Sequence, residues 1–137
     1  MTESLQVASG EAGIFEQFPG GVFPAACSSR VLLDHVMSKW GVLVLVSLTD
    51  GPQRWSELRR RAQGVSEKML AQTLRTLEAD GLVDRDQKPV MPPRVDYSLT
   101  PLGEELAEVM VPLLRWVGRN AEAVIGPSDP AGSSRSS

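Results

Sequence analysis

The sequence predicts a mainly α-helical fold with one small β-hairpin. Three observations predict it. Helical patterning or helix-capping signals recur in five segments. One stretch, just after Gly81, changes to a period of two and reads as paired strands. Asp50-Gly51-Pro52, Gln63-Gly64-Val65 and Asp80-Gly81 separate these segments with strong turn formers.

The first helix is expected over Ser29–Met37. Ser28 or Ser29 can cap it by accepting a bond from an orphan N–H, and Val31, Leu32, His35 and Val36 give one mostly apolar face. A second helix is expected over Lys39–Leu48. Trp40, Val42, Leu43, Leu45 and Val46 make it apolar nearly all round, as in a buried helix, although its β-branched content also allows a buried strand. A short helix follows, with Ser56 as candidate N-cap, running to about Ala62. Ser66 then caps a helix over Glu67–Ala79. On it Leu70, Leu74 and Leu77 form a core stripe, and Lys68, Gln72 and Arg75 form a polar stripe on the opposite face. Leu82–Arg85 and Val95–Leu99 read as strands. The Pro-rich QKPVMPPR between them cannot continue a ladder and forms a long hairpin tip. Thr100 caps the last helix, with Pro101 at its first position and Glu104 and Glu105 near its positive end. Its apolar set is large: Leu102, Leu106, Val109, Met110, Leu113, Trp116 and Val117. Pro112 lies inside and should kink the helix or free a carbonyl.

Composition narrows the function. The chain has 137 residues, 42% apolar and 23% charged, which fits one soluble domain. The expected organisation is an N-terminal arm over residues 1–21, a folded domain over 22–125 and a Gly/Pro/Ser-rich tail over 126–137. The N-terminus has no secretory pattern, and no apolar run approaches the roughly 20 residues of a membrane span. A cytoplasmic protein without membrane contact is expected. One cysteine and one histidine exclude a disulfide scaffold and the usual zinc sites, and there is no Gly-rich nucleotide motif. The expectation is a non-enzyme with no cofactor and no metal.

Net charge is −3, but it is unevenly placed. Residues 54–75 carry six bases against two acids, a local excess of +4. Such a patch is either a polyanion footprint or a solvated helix face.

A short helix, a Gly turn, a second helix with a polar outer face and a basic-tipped hairpin together form a winged helix-turn-helix. The second helix of the pair fits the major groove, and its first turns reach base edges. Ser66, Lys68, Met69, Gln72 and Thr73 lie in those turns, with Arg75 further along and suited to phosphate. Ser56 opens the preceding helix. Lys88 and Arg94 on the wing are placed to reach a flanking phosphate or the minor groove.

The same residues carry a resemblance. Lys39-Trp40, Trp55-Ser56-Glu57-Leu58 and Gly64-Val65-Ser66-x-Lys68-Met69-Leu70 begin the match. Leu74-Arg75-x-Leu77-Glu78-x-Asp80-Gly81-Leu82, Pro92-Pro93-Arg94-Val95-x-Tyr97-x-Leu99-Thr100, Leu102-Gly103 and Trp116-x-Gly118 complete it. From Cys27 to Gly118 the chain resembles the HxlR-type winged-helix transcriptional regulators of bacteria. The resemblance implies a homodimer held by the N-terminal region and the last helix, bound to a near-palindromic double-stranded DNA operator. Val31, Leu32, His35, Leu106, Met110, Leu113, Trp116 and Val117 are the candidate interface residues.

Many members of that family have a cysteine just before the first helix, and in some it senses oxidants or electrophiles. Cys27 holds that position. A thiol beside a helix N-terminus and Arg30 is expected to have a lowered pKa. The competing reading is a small, inert buried residue. His35 fits a core or interface position better than a ligand. A repressor is the leading reading, with a thiol-reactive compound or a small apolar ligand as its signal. The competing class is a winged helix used only for protein–protein contact, which would expose apolar anchors where Lys68, Gln72 and Arg75 stand.

Overall fold

The computed structural model describes residues 27–127, so the arm expected over residues 1–21 and nearly all of the tail lie outside the described residues. The described part divides after Ser38 into two units. The first contains α1 (Ser28–Val36). Cys27 is its N-cap, with extended backbone, and the Cys27 carbonyl accepts the N–H groups of Arg30 and Val31 at 3.1 and 3.2 Å. The cap is therefore Cys27 rather than Ser28 or Ser29. The Met37 N–H closes the helix on the Leu33 carbonyl at 2.9 Å.

The second unit begins with α2 (Lys39–Ser47), continued by a 3-10 turn over Leu48–Asp50. The apolar run resolves as helix, with Val44 and Leu45 fully buried. It packs against α3 (Trp55–Arg61), α4 (Glu67–Ala79) and α5 (Pro101–Val124), which explains why nearly every side of it is apolar.

Three strands form an antiparallel sheet: β1 (Gln53–Arg54), β2 (Val83–Lys88) and β3 (Arg94–Leu99), in the order β1-β3-β2. The hairpin register pairs Val83 with Leu99 and Lys88 with Arg94. Both hairpin strands run further toward the tip than their apolar alternation indicates. No local sequence pattern marks the two-residue β1. It pairs Gln53 with Tyr97 and Arg54 with Asp96, partners more than forty residues away.

α3 starts two residues earlier than Ser56 would dictate. Arg54 is its N-cap, and the Arg54 N–H donates to Glu57 Oε1 at 2.8 Å. Ser56 is thus exposed in the first turn, not a cap. α4 begins as expected, with Ser66 Oγ accepting the Met69 N–H at 3.0 Å. Thr100 begins α5 with three bonds. Its hydroxyl accepts the Gly103 N–H at 3.0 Å and donates to the Gly81 carbonyl at 2.7 Å, while its own N–H reaches the Leu82 carbonyl at 3.1 Å. α5 continues through Pro112, which has no N–H to give the Glu108 carbonyl. No single helix among the described residues is long and apolar enough to cross a membrane.

Candidate nucleic-acid interface

Two helices and a hairpin build one surface. α3 and α4 are joined by a turn in which Gly64 has φ +93°, a conformation that favours glycine. Trp40 Cη2 lies 3.8 Å from where a Gly64 Cβ would stand, so the turn also sits close to α2. Leu58, Leu70, Leu74 and Leu77 are buried and fix the rotation of α3 and α4. That rotation turns Lys68, Gln72 and Arg75 outward along one line of α4, with Ser66 exposed at its start and Met69 partly exposed beside it.

Thr73 does not belong to that face. It is 9% exposed, on the core side between Leu70 and Leu77, and cannot reach a base edge. The i, i+3 offset from Leu70 places it there.

The wing brings Lys88 and Arg94 together, but not as free cations. Arg94 donates to Asp96 from Nε at 3.1 Å and from Nη2 at 3.4 Å. Lys88 Nζ meets Asp86 at 2.7 Å and Asp96 at 4.0 Å. In the hairpin register Lys88 faces Arg94 and Asp86 faces Asp96, so like charges are opposed. Pairing along each strand resolves the conflict. The hydrogen bond from Arg94, with the charges of Arg94, Lys88 and Arg54, holds the Asp96 carboxyl below the usual carboxylate range. The hydrogen bond and charge of Asp86 raise the Lys88 ammonium.

α3 carries three consecutive arginines with different surroundings. Arg59 bonds Glu67 at 3.0 Å, tying α3 to the first turn of α4. Arg61 bonds Asp50 at 2.8 Å and the Ser47 carbonyl at 3.3 Å. Arg60 has no carboxylate partner among the described residues and lies exposed beside Ser56. By sequence it belongs to the basic patch of residues 54–75, and the structure adds it to the exposed surface beside Ser56. Its i+4 offset from Ser56 was the available signal.

Cys27 is half-buried at the start of α1. On the same helix Val31 and Leu32 are exposed and His35 is half-buried. On α5, Leu102, Val109, Leu113, Trp116 and Val117 are exposed, while Leu106 is half-buried at the edge of that stripe. Met110 is 4% exposed within the one chain and is a core residue, not an interface residue. It shares the inward line of Gly103 and Ala107, each a turn or two apart. Among the described residues no cluster of His, Cys, Asp and Glu could hold a metal ion.

This arrangement defines a winged helix-turn-helix, with α4 as the reading helix and the β2–β3 hairpin as the wing. The HxlR-like helix-turn-helix family model matches residues 35–124, and the chain belongs to that family. It is 51% identical over 110 residues to the uncharacterized HTH-type transcriptional regulator YtfH of Escherichia coli K12, covering 80% of this chain and 87% of that one. Among solved structures, the putative transcriptional regulator ytfH from Salmonella typhimurium superposes with a TM-score of 0.72 at 51% identity, over 77% of this chain and 94% of that one. The oxidized form of the redox regulator HypR superposes at 0.64 with 35% identity, over 69% and 97%. The protein is a DNA-binding transcriptional regulator.

Proposed function

We propose that the protein is a homodimeric repressor that reads a near-palindromic operator. The outward line of Lys68, Gln72 and Arg75 on α4 carries this reading. Gln72 is suited to bidentate bonding with adenine, and Lys68 to guanine. Ser66 and Met69 flank them at the helix start. Arg75 is further along and meets phosphate, while Ser56, Lys88 and Arg94 contact the backbone on either side. The protein acts by binding and performs no catalysis.

The dimer is supported by the exposed stripe on α5. Leu102, Leu106, Val109, Leu113 and Trp116 follow one another at steps of four and three, the seam of two packed helices. Val117 widens the seam. Val31, Leu32 and His35 of α1 are separate candidates for contact with the second copy, with Val31 and Leu32 exposed and His35 half-buried on their own helix. Two reading helices about 34 Å apart then enter successive major grooves. A dimer so seated blocks the duplex to other proteins.

Control through Cys27 is favoured by one observation, the likeness to the redox regulator HypR. Peroxide would take the thiolate to a sulfenic acid, and a second thiol would condense with it to a disulfide, releasing water. A small ligand is the other candidate signal.

Selection of bound duplexes from a random pool, at stated salt and in reduced and oxidised states, tests this. An enriched inverted repeat is expected, and Gln72→Ala should alter its sequence. Loss of the repeat on oxidation, abolished by Cys27→Ser, would support the sensor. No enrichment in either state refutes the operator reading.

A further inference from the structure

A cleft of about 530 Å³ lies between α3, β1 and β3, lined by Arg54, Ser56, Glu57, Arg60, Arg94 and Asp96 together with Pro52. Its construction brings three guanidiniums from three elements to one place. β1 supplies Arg54, directly across the ladder from Asp96. α3 supplies Arg60, one turn beyond Ser56. β3 supplies Arg94, held by its two bonds to Asp96.

The two carboxylates are already engaged. Glu57 accepts the Arg54 backbone N–H at 2.8 Å, and Asp96 accepts from Arg94. Among the described residues neither Arg54 nor Arg60 makes an ion pair within 4 Å, unlike their neighbours Arg59 and Arg61, although the charge of Arg54 is felt at Asp96. Three guanidiniums against two carboxylates leave one net positive charge, equal and opposite to one phosphodiester. Arg60 and Ser56 also line a second depression that runs to Gly64 and Glu67, at the start of the reading helix.

We propose that this cleft seats one backbone phosphate of the bound duplex, with Arg54 and Arg60 as its principal donors. Arg94 completes the cradle, and Asp96 is a positioning residue that aims Arg94. This inference rests on the DNA-reading proposal and adds residues that proposal does not contain. The contact carries no sequence information. It sets the register of α4 in the groove.

The test uses the full chain and two duplexes: the operator recovered by selection and a shuffled duplex of equal length. Affinities are measured across a salt series for wild type and for the Arg54→Gln/Arg60→Gln double variant. Both affinities should fall by the same factor, roughly tenfold at about 0.15 M salt, and the slope of log K against log salt should drop by about 1. A thermal melt checks the fold, and Arg60→Lys in the Arg54 background should keep the wild-type slope. Wild-type affinity and slope in the double variant would overturn the proposal, while Gln72→Ala still altering sequence preference would leave the DNA reading standing. Loss on the operator alone would overturn it too. If inorganic phosphate shifts the arginine side-chain NMR signals while the duplex slope is unchanged, the cleft takes free anion and the backbone assignment falls. Failure of wild type to bind either duplex would remove the parent reading and this one together.

Discussion

Gly103 gives the sharpest test of how α5 is mounted. A Cβ there would fall inside the van der Waals envelope of the Leu82 carbonyl oxygen, 3.1 Å from the Leu82 carbonyl carbon and 3.2 Å from Leu99 Cδ2. The obstructing atoms are mostly backbone, so no side chain can swing away to relieve them. Gly103→Ala gains about 1 kcal/mol in helix propensity. Against this, overpacking costs about 3 kcal/mol, the upper end of its range, because backbone must move. The displacement also strains the Thr100 N–H bond to the Leu82 carbonyl, which contributes about 1 kcal/mol. The net loss is about 3 kcal/mol, a fall in Tm of roughly 10–20 °C for a domain of this size. Gly118 is the internal control. It lies in the same helix with nothing within 4 Å of its Cβ position, so Gly118→Ala should raise Tm by a few degrees. Thermal and urea denaturation at matched protein concentration read both. A Gly103→Ala protein as stable as wild type, or moving in step with Gly118→Ala, would refute the mounting of α5 against Leu82.

Three further outcomes follow from particular contacts. Ser66→Ala removes the acceptor for the Met69 N–H and should cost about 1 kcal/mol in urea denaturation, with Ser66→Asp restoring it. Because the folded state depresses the Asp96 carboxyl, its contribution is present above the ordinary value of about 3.9 and is lost as pH falls through the lower folded value. Asp96→Asn should therefore flatten the acid limb of the stability profile in that window and leave the limb above pH 5 parallel to wild type. Trp116→Ala and Leu113→Ala together should shift sedimentation from dimer toward monomer while each protomer keeps its helical circular dichroism, since both side chains are exposed within one chain.

Much of the architecture was legible because it is written locally. Ser66 and Thr100-Pro101 mark helix starts by short-range bonding, and the stripe of Leu70, Leu74 and Leu77 sets the rotation of α4 without any knowledge of its neighbours. What escaped is non-local or depends on depth. The strand Gln53–Arg54 is two residues long and exists only because β3 lies beside it. Thr73 and Met110 are compatible in type with a surface role, and only the assembled core shows that neither is accessible. The quenched wing is a different case. Asp86, Lys88 and Arg94 lie beyond the strand signals at Arg85 and Val95, and only the extension of both strands toward the tip puts Arg94 with Asp96, and Asp86 with Lys88, on shared faces.

The bonds of Thr100 have a mechanical consequence. One side chain ties the first turn of α5 to the residue that ends the turn after α4, and the neighbouring carbonyl of Leu82 receives the Thr100 N–H. These bonds make a direct link between the start of the long helix and the end of the reading helix, beside the packing of both on α2. α4 has thirteen residues, which makes it about 20 Å long. A rotation of about ten degrees at that link sweeps the far end of α4, where Ser66 and Lys68 stand, through roughly 3.4 Å. That is the rise of one nucleotide along a strand. A tilt of that size at this link would displace the start of α4 by a full nucleotide step, so the Thr100 bonds bear directly on the register of α4.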